Sequence, residues 1–231
     1  MTGREGLEHR PDRIILVRHG ESEGNVDDTI YERVPDHRLS LTETGFEQAR
    51  RTGAVLRTLL DGDSVEAYVS PYRRTRQTLA ALDLPVAERD VRVEPRLREQ
   101  DWANFQDPAD IAEQKELRDR YGHFFYRFTQ GESGSDVYDR VSTFLESMHR
   151  NFETPAAPRN VVIVTHGLTM RLFCMRWFHW GVDYFESLDN PGNAQPVVLL
   201  RQPDFRYKLE APFTQWDTGV VPTERERSSW L

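Results

Sequence analysis

Two histidines occupy matching places in two similar stretches of the chain. His19 follows the apolar run from Ile14 to Val17 in "IILVRHGESEGN", with only Arg18 between, and His166 follows Val161 to Val164 in "VVIVTHG", with only Thr165 between. A glycine comes next in both, Gly20 and Gly167. Two other apolar segments also end in reactive side chains: arginines in "SPYRRTRQT" after Val65 to Val69, and Glu99 in "RLREQDWANFQ". Imidazoles and guanidiniums gathered beside helix starts suit a dianion such as phosphate, because arginine offers its oxygens a planar fork and a helix start offers unpaired N–H groups.

These side chains converge only if the elements carrying them are neighbours. Ile14 to Val17 and Val161 to Val164 are short continuous apolar runs, as expected of strands covered on both faces. Between them "LTETGFEQARRTGAVLRTLLDG" places Phe46, Ala49, Gly53, Leu56 and Leu60 at helical spacing, with Thr42 or Thr44 as cap. Ser70 and Pro71 suit the cap and first turn of a second helix, "VRVEPRLRE" alternates like a short strand, and a charged helix is expected from Pro108 to Tyr121. A further amphipathic helix carries Val137, Val141, Phe144, Leu145 and Met148, and later strands are expected at Val197 to Leu200 and Phe205 to Lys208. Asn25 to Ser40 reads as a polar loop. This alternation predicts an α/β fold: a three-layer α/β/α sandwich with a mostly parallel central sheet and helices on both faces. In such sheets ligands bind beyond the carboxyl ends of the strands, where the reactive side chains fall.

The chain has 231 residues, enough for one sizeable core, and a single domain is expected over residues 12–212 with 1–11 and 213–231 as flexible tails. A net charge of −8 gives no general attraction to nucleic acid or anionic membrane, so an anion site must be a local basic cluster. No apolar run approaches the roughly 20 residues needed to cross a bilayer. The start "MTGREGLEHRPD" lacks the apolar stretch of a secretory signal and Cys174 is the only cysteine, so a cytoplasmic setting without disulfides is expected. Cys174 reads as a buried apolar side chain, and Phe173, Trp177 and Trp180 as core, with a homodimer patch as the alternative. His9, His37, His123, His149 and His179 show no metal-like grouping.

With these motifs in order, the chain resembles the histidine phosphatase superfamily, also called phosphoglycerate mutase-like. "LVRHGESEGN" is similar to its RHG signature, "LSLTETGFEQAR" to its LTxxGxxQA helix, "SPYRRTRQT" to its SPLxRAxQT segment and "VTHG" to its second histidine motif. The resemblance implies that His19 is the nucleophile that takes the phosphoryl group, as neutral imidazole held by a backbone carbonyl. It implies that Arg18, Arg74 and His166 bind the phosphoryl oxygens, that Asn25, Gly20 and Gly167 add contacts, and that Glu99 is the acid and base. No metal or cofactor is implied, and the partner is a small phosphate ester. Arg73 and Arg76 compete with Arg74, and Glu94 and Asp101 with Glu99. Arg38, Tyr126 and Arg127 are candidate contacts beyond the phosphate, the last two within "HFFYRF", which reads equally as an aromatic wall over the site or as core filling.

The expected activity is a metal-independent phosphomonoesterase. The alternatives are a phosphoglycerate-type mutase using the same phosphohistidine and a non-catalytic phospho-ligand binding protein. A mutase must shield its intermediate from water, which in known mutases involves a longer insertion after the acid; only a short charged helix stands there. The binding protein would show a broken catalytic set, and none of its members is missing.

Overall fold

The computed structural model describes residues 9–230 apart from 106, 155 and 217–218; residues 1–8 of the expected amino-terminal tail lie outside them. In chain order the elements are β1 (Arg13–Arg18), α1 (Glu23–Val26), α2 (Glu43–Leu59), β2 (Val65–Val69), α3 (Arg73–Leu82), β3 (Val91–Val93) and α4 (Pro108–Tyr121). There follow α5 (Gly134–Phe152), β4 (Asn160–Thr165), α6 (Gly167–Phe178), α7 (Val182–Glu186), β5 (Pro196–Arg201), β6 (Tyr207–Leu209) and α8 (Glu224–Arg227). One sheet has the order β3-β2-β4-β1-β5-β6, in which β5 and β6 run antiparallel to their neighbours and the rest are parallel.

Successive residues of β1 feed opposite cores. Ile14 and Leu16 pack with Val141, Phe144 and Phe173 from α5 and α6, whereas Ile15 and Val17 pack with Leu56 and Leu60 from the α2 side and Leu82 from α3. Both faces are therefore covered, which is why the strand reads as a continuous apolar run. The chain crosses from β1 through α2 to β2, skipping the central position that β4 later fills. Because β1 and β4 pair in parallel with Arg18 opposite Thr165, His19 and His166 leave the sheet side by side. No described helix is long and apolar enough to cross a membrane. Cys174 is buried in the core, and burial pushes its thiol well up.

The structure corrects three expectations. The polar stretch read as a loop contains the end of α1 and two 3-10 turns, Asp28–Glu32 and Asp36–Arg38, the first capped by the Asp27 carboxylate on the Thr29 N–H. Ser70 does not cap α3: Tyr72 occupies the cap position without a side-chain hydrogen bond, and Ser70 Oγ lies 2.9 Å from His166 Nε2. The carboxyl-terminal segment expected as a tail is anchored at several of its described residues, 217–218 and 231 lying outside them. Phe213 is buried, the Trp216 N–H donates to Ser187 O at 2.8 Å, Thr223 caps α8, and Trp230 pairs beside Leu209 against the core. Its anchors are single aromatics spaced through polar sequence, a pattern without periodicity.

Candidate active site

His19 is built into the end of β1 by its backbone. Its N–H donates to Thr165 O at 3.0 Å, and its carbonyl accepts from Ala194 N–H at 3.1 Å. The side chain is almost wholly buried, and its Nδ1 lies 2.7 Å from Gly20 O. A carbonyl only accepts, so Nδ1 carries the proton and Nε2 keeps its lone pair. Burial, with Arg74 and Arg18 adding to it, holds the imidazole well below the usual histidine range, so it is neutral and nucleophilic at ordinary pH. His166 is fully buried, its ring centroid 5.3 Å from that of His19. Its Nδ1 lies 3.4 Å from Arg74 Nη2 and 3.6 Å from Glu99 Oε2. A guanidinium only donates, so Nδ1 accepts and Nε2–H donates to Ser70. Burial, then Arg74 and His19, keep this ring neutral too.

Both cationic side chains have an unmet donor: Arg18 Nε and Arg74 Nε are buried without a hydrogen-bond partner among the described residues. Arg18 is held by a donation from Nη1 to Pro191 O at 2.7 Å. Arg74 is held by Asp36, whose carbonyl and Oδ1 accept from Nη1 at 2.8 and 2.6 Å. Burial pulls the Arg74 guanidinium down, and Asp36 more than offsets it. Arg73 and Arg76 are exposed, so α3 presents only Arg74 to the pocket. Glu99 also lines the pocket, and burial raises its carboxyl above the usual range despite Arg74, the Gln100 N–H and Arg18. Its rivals are engaged elsewhere, Glu94 with Arg96 and Asp101 with the Ala103 N–H. Asn25 Oδ1 accepts from Ser22 N–H and from Asn193, which leaves the Asn25 amide N–H groups for a ligand.

Other expected positions fall outside the site. Gly20 gives its N–H to Thr78 Oγ1 at 3.0 Å rather than to a phosphate, and a Cβ on it would lie 2.4 Å from Gly45 O, so its glycine serves the approach of β1 to α2. Gly167 makes room for Asn190, which does line the pocket. Arg38 is exposed and absent from the lining, and Arg127 is exposed and paired with Asp136 at 2.7 Å. Tyr126 packs edge-on against Phe128, and Phe128 stacks behind Trp102 at 4.3 Å. The aromatic segment thus supports the wall, and of this stacked group Trp102 lines the pocket.

The pocket, about 240 Å³, is closed beyond Arg18, His19 and Glu99 by Tyr31, Asp36, Trp102, Ile111 and Lys115. Sequence reading missed these five. Trp102 lies three residues from Glu99 in "RLREQDWANFQ", whereas Ile111 and Lys115 carry no signal beyond lying on a short charged helix. His19, Glu99 and His166 place ligating atoms within 4.8 Å of one another, a spacing that can hold a divalent cation. Two guanidiniums share that space and repel one, so the field favours an anion.

Asp36 sets how strongly. It places a carboxylate one guanidinium away from any bound phosphate. Asp36→Asn keeps an acceptor for Arg74 and removes that repulsion, on the order of 1–2 kcal/mol at an effective dielectric near 20 or above. Inhibition by inorganic phosphate is expected to tighten about tenfold; inhibition that is unchanged or weaker in a phosphate titration contradicts this.

The histidine phosphatase superfamily (branch 1) sequence profile matches residues 14–210. The phosphoglycerate mutase-like protein AT74 of Arabidopsis thaliana is 44% identical over 235 residues, covering 95% of this chain and 72% of that protein. The broad-range acid phosphatase DET1 of Saccharomyces cerevisiae is 30% identical, covering 90% of this chain and 91% of its own. Among solved structures, a mycobacterial glucosyl-3-phosphoglycerate phosphatase superposes with a TM-score of 0.68 at 25% identity, over 88% of this chain and all of the other.

Proposed function

From the premise that this chain belongs to the histidine phosphatase superfamily, we propose that it is a metal-independent phosphomonoesterase acting on a small phosphorylated metabolite through a phosphohistidine. The observation that carries the reading is the His19 Nδ1 to Gly20 O contact of 2.7 Å, which leaves Nε2 as the attacking atom.

The phosphate of the substrate sits against Arg18, Arg74 and Asn25, whose donors meet its equatorial oxygens. His19 Nε2 forms a bond to phosphorus while the bond to the ester oxygen breaks, and the Glu99 carboxyl gives its proton to that oxygen. The dianion also favours a proton on His166 Nδ1, turning it from acceptor to donor. In the second half Glu99, now carboxylate, takes a proton from water as the water oxygen attacks phosphorus, and the nitrogen–phosphorus bond breaks. Inorganic phosphate leaves and His19 is neutral again. The raised Glu99 carboxyl suits the first role, because it keeps the acid protonated to higher pH than an ordinary glutamate.

Rapid quenching into base with phosphorus-labelled substrate tests this directly. Label bound to the protein, stable to base and labile to acid, is expected, and turnover is expected to be unaffected by a chelator. Turnover abolished by the chelator and restored by a divalent ion overturns the metal-free reading. A phosphoglycerate isomerised faster than it releases phosphate identifies the mutase instead.

A further inference from the structure

A second groove lies at the far end of α6 from His166. It encloses about 1110 Å³ between α5, the end of α6, the β5–β6 turn and α8, roughly 15 Å from the start of α6 at 1.5 Å per residue. Five cationic side chains line it: Arg10, Arg176, Arg206, Lys208 and Arg225, against two carboxylates, Glu146 and Asp204. They come from four segments distant in sequence, which the fold gathers on one surface. Asp204 faces Arg206 at 3.8 Å, while Arg10, Arg176, Lys208 and Arg225 form no ion pair with a described residue. A chain of net charge −8 has here a local excess of positive charge.

We propose that this groove binds a compact polyanion bearing three or more phosphate groups, at a site separate from the catalytic pocket. Against two carboxylates the five cations leave an excess of three positive charges, more than one phosphate dianion neutralises. A long nucleic acid would have to lie along a chain of net charge −8, which repels it outside this local cluster. The indole in the lining, Trp177, is already stacked by His149 at 4.9 Å and by Phe173 at 5.8 Å, which leaves it poorly placed to take a nucleotide base. Charge is therefore the recognition feature, and a phosphate-dense small molecule supplies it.

The test is calorimetric titration of the full chain with inorganic tripolyphosphate, the catalytic pocket saturated with orthovanadate. Binding that survives vanadate is expected, weakened at least about tenfold by Arg176→Glu with Lys208→Glu and steeply by salt. Hydrolysis of 4-nitrophenyl phosphate by that variant is expected to stay within about twofold of wild type, since neither residue touches the pocket. Arg225→Ala, at an exposed position, gives a second reading with little risk to folding and is expected to weaken binding in the same direction. Binding abolished by vanadate, binding unchanged in both variants, or an acidic peptide binding more tightly than tripolyphosphate overturns the proposal.

Discussion

His19→Ala is expected to lower phosphate release from any monoester by roughly 10⁴-fold or more, the scale seen when a covalent nucleophile is deleted. It should also remove the base-stable, acid-labile label from the quenched protein. The fold should survive: His19 is held chiefly by its backbone bonds to Thr165 and Ala194, which alanine keeps. Binding should survive too, because Arg18, Arg74 and Asn25 remain, so a KM or phosphate affinity near that of the wild type is expected with a collapsed kcat. That split separates chemistry from binding. A variant that retains more than a few per cent of kcat shows that another group attacks phosphorus, and the single side-chain contact that fixes the His19 tautomer then loses its catalytic meaning.

Much of this arrangement is legible in the sequence. Continuous apolar runs give buried parallel strands for a physical reason, the covering of both faces, and two such runs ending in a histidine and a glycine placed His19 and His166 at one sheet edge. The exposure of Arg73 and Arg76 beside buried Arg74 follows from helical geometry, which separates neighbours by about 100°. What was not legible depended on contacts between distant segments. Ser70 carries the composition of a helix cap and serves His166 instead. Asp36 lay in a stretch that read as loop, and its grip on Arg74 spans 38 residues. The distal wall failed for a related reason: Arg38 and Arg127 bear the charge that a substrate would want, yet face solvent, whereas Trp102 and Lys115 reach the pocket through the packing of α4 and Phe128. Charge and aromaticity name residue types able to bind; only packing decides which of them face the ligand.

Glu99→Gln separates the two halves of the reaction. The first half needs a proton for the departing oxygen, so alkyl phosphates, whose alkoxide leaves poorly unprotonated, are expected to lose about 10²- to 10⁴-fold in kcat/KM. With 4-nitrophenyl phosphate, whose phenolate is a stable anion, His19 should still be phosphorylated at a useful rate. Attack of water then lacks its base, so one equivalent of nitrophenolate is expected in a burst, followed by slow turnover and accumulated phosphohistidine. The pH profile follows from the same group. His19 is held neutral well below the usual histidine range and Glu99 is raised above the usual carboxylate range. For the wild type, kcat/KM with an alkyl phosphate should therefore hold at acidic pH and fall as pH rises through the Glu99 value, because the acid loses its proton. Glutamine has no proton to lose, so the variant should show a low rate without that fall. If the fall persists in Glu99→Gln, the titrating acid is another group; if the burst is missing while alkyl and nitrophenyl esters suffer equally, Glu99 acts by binding and not by proton transfer.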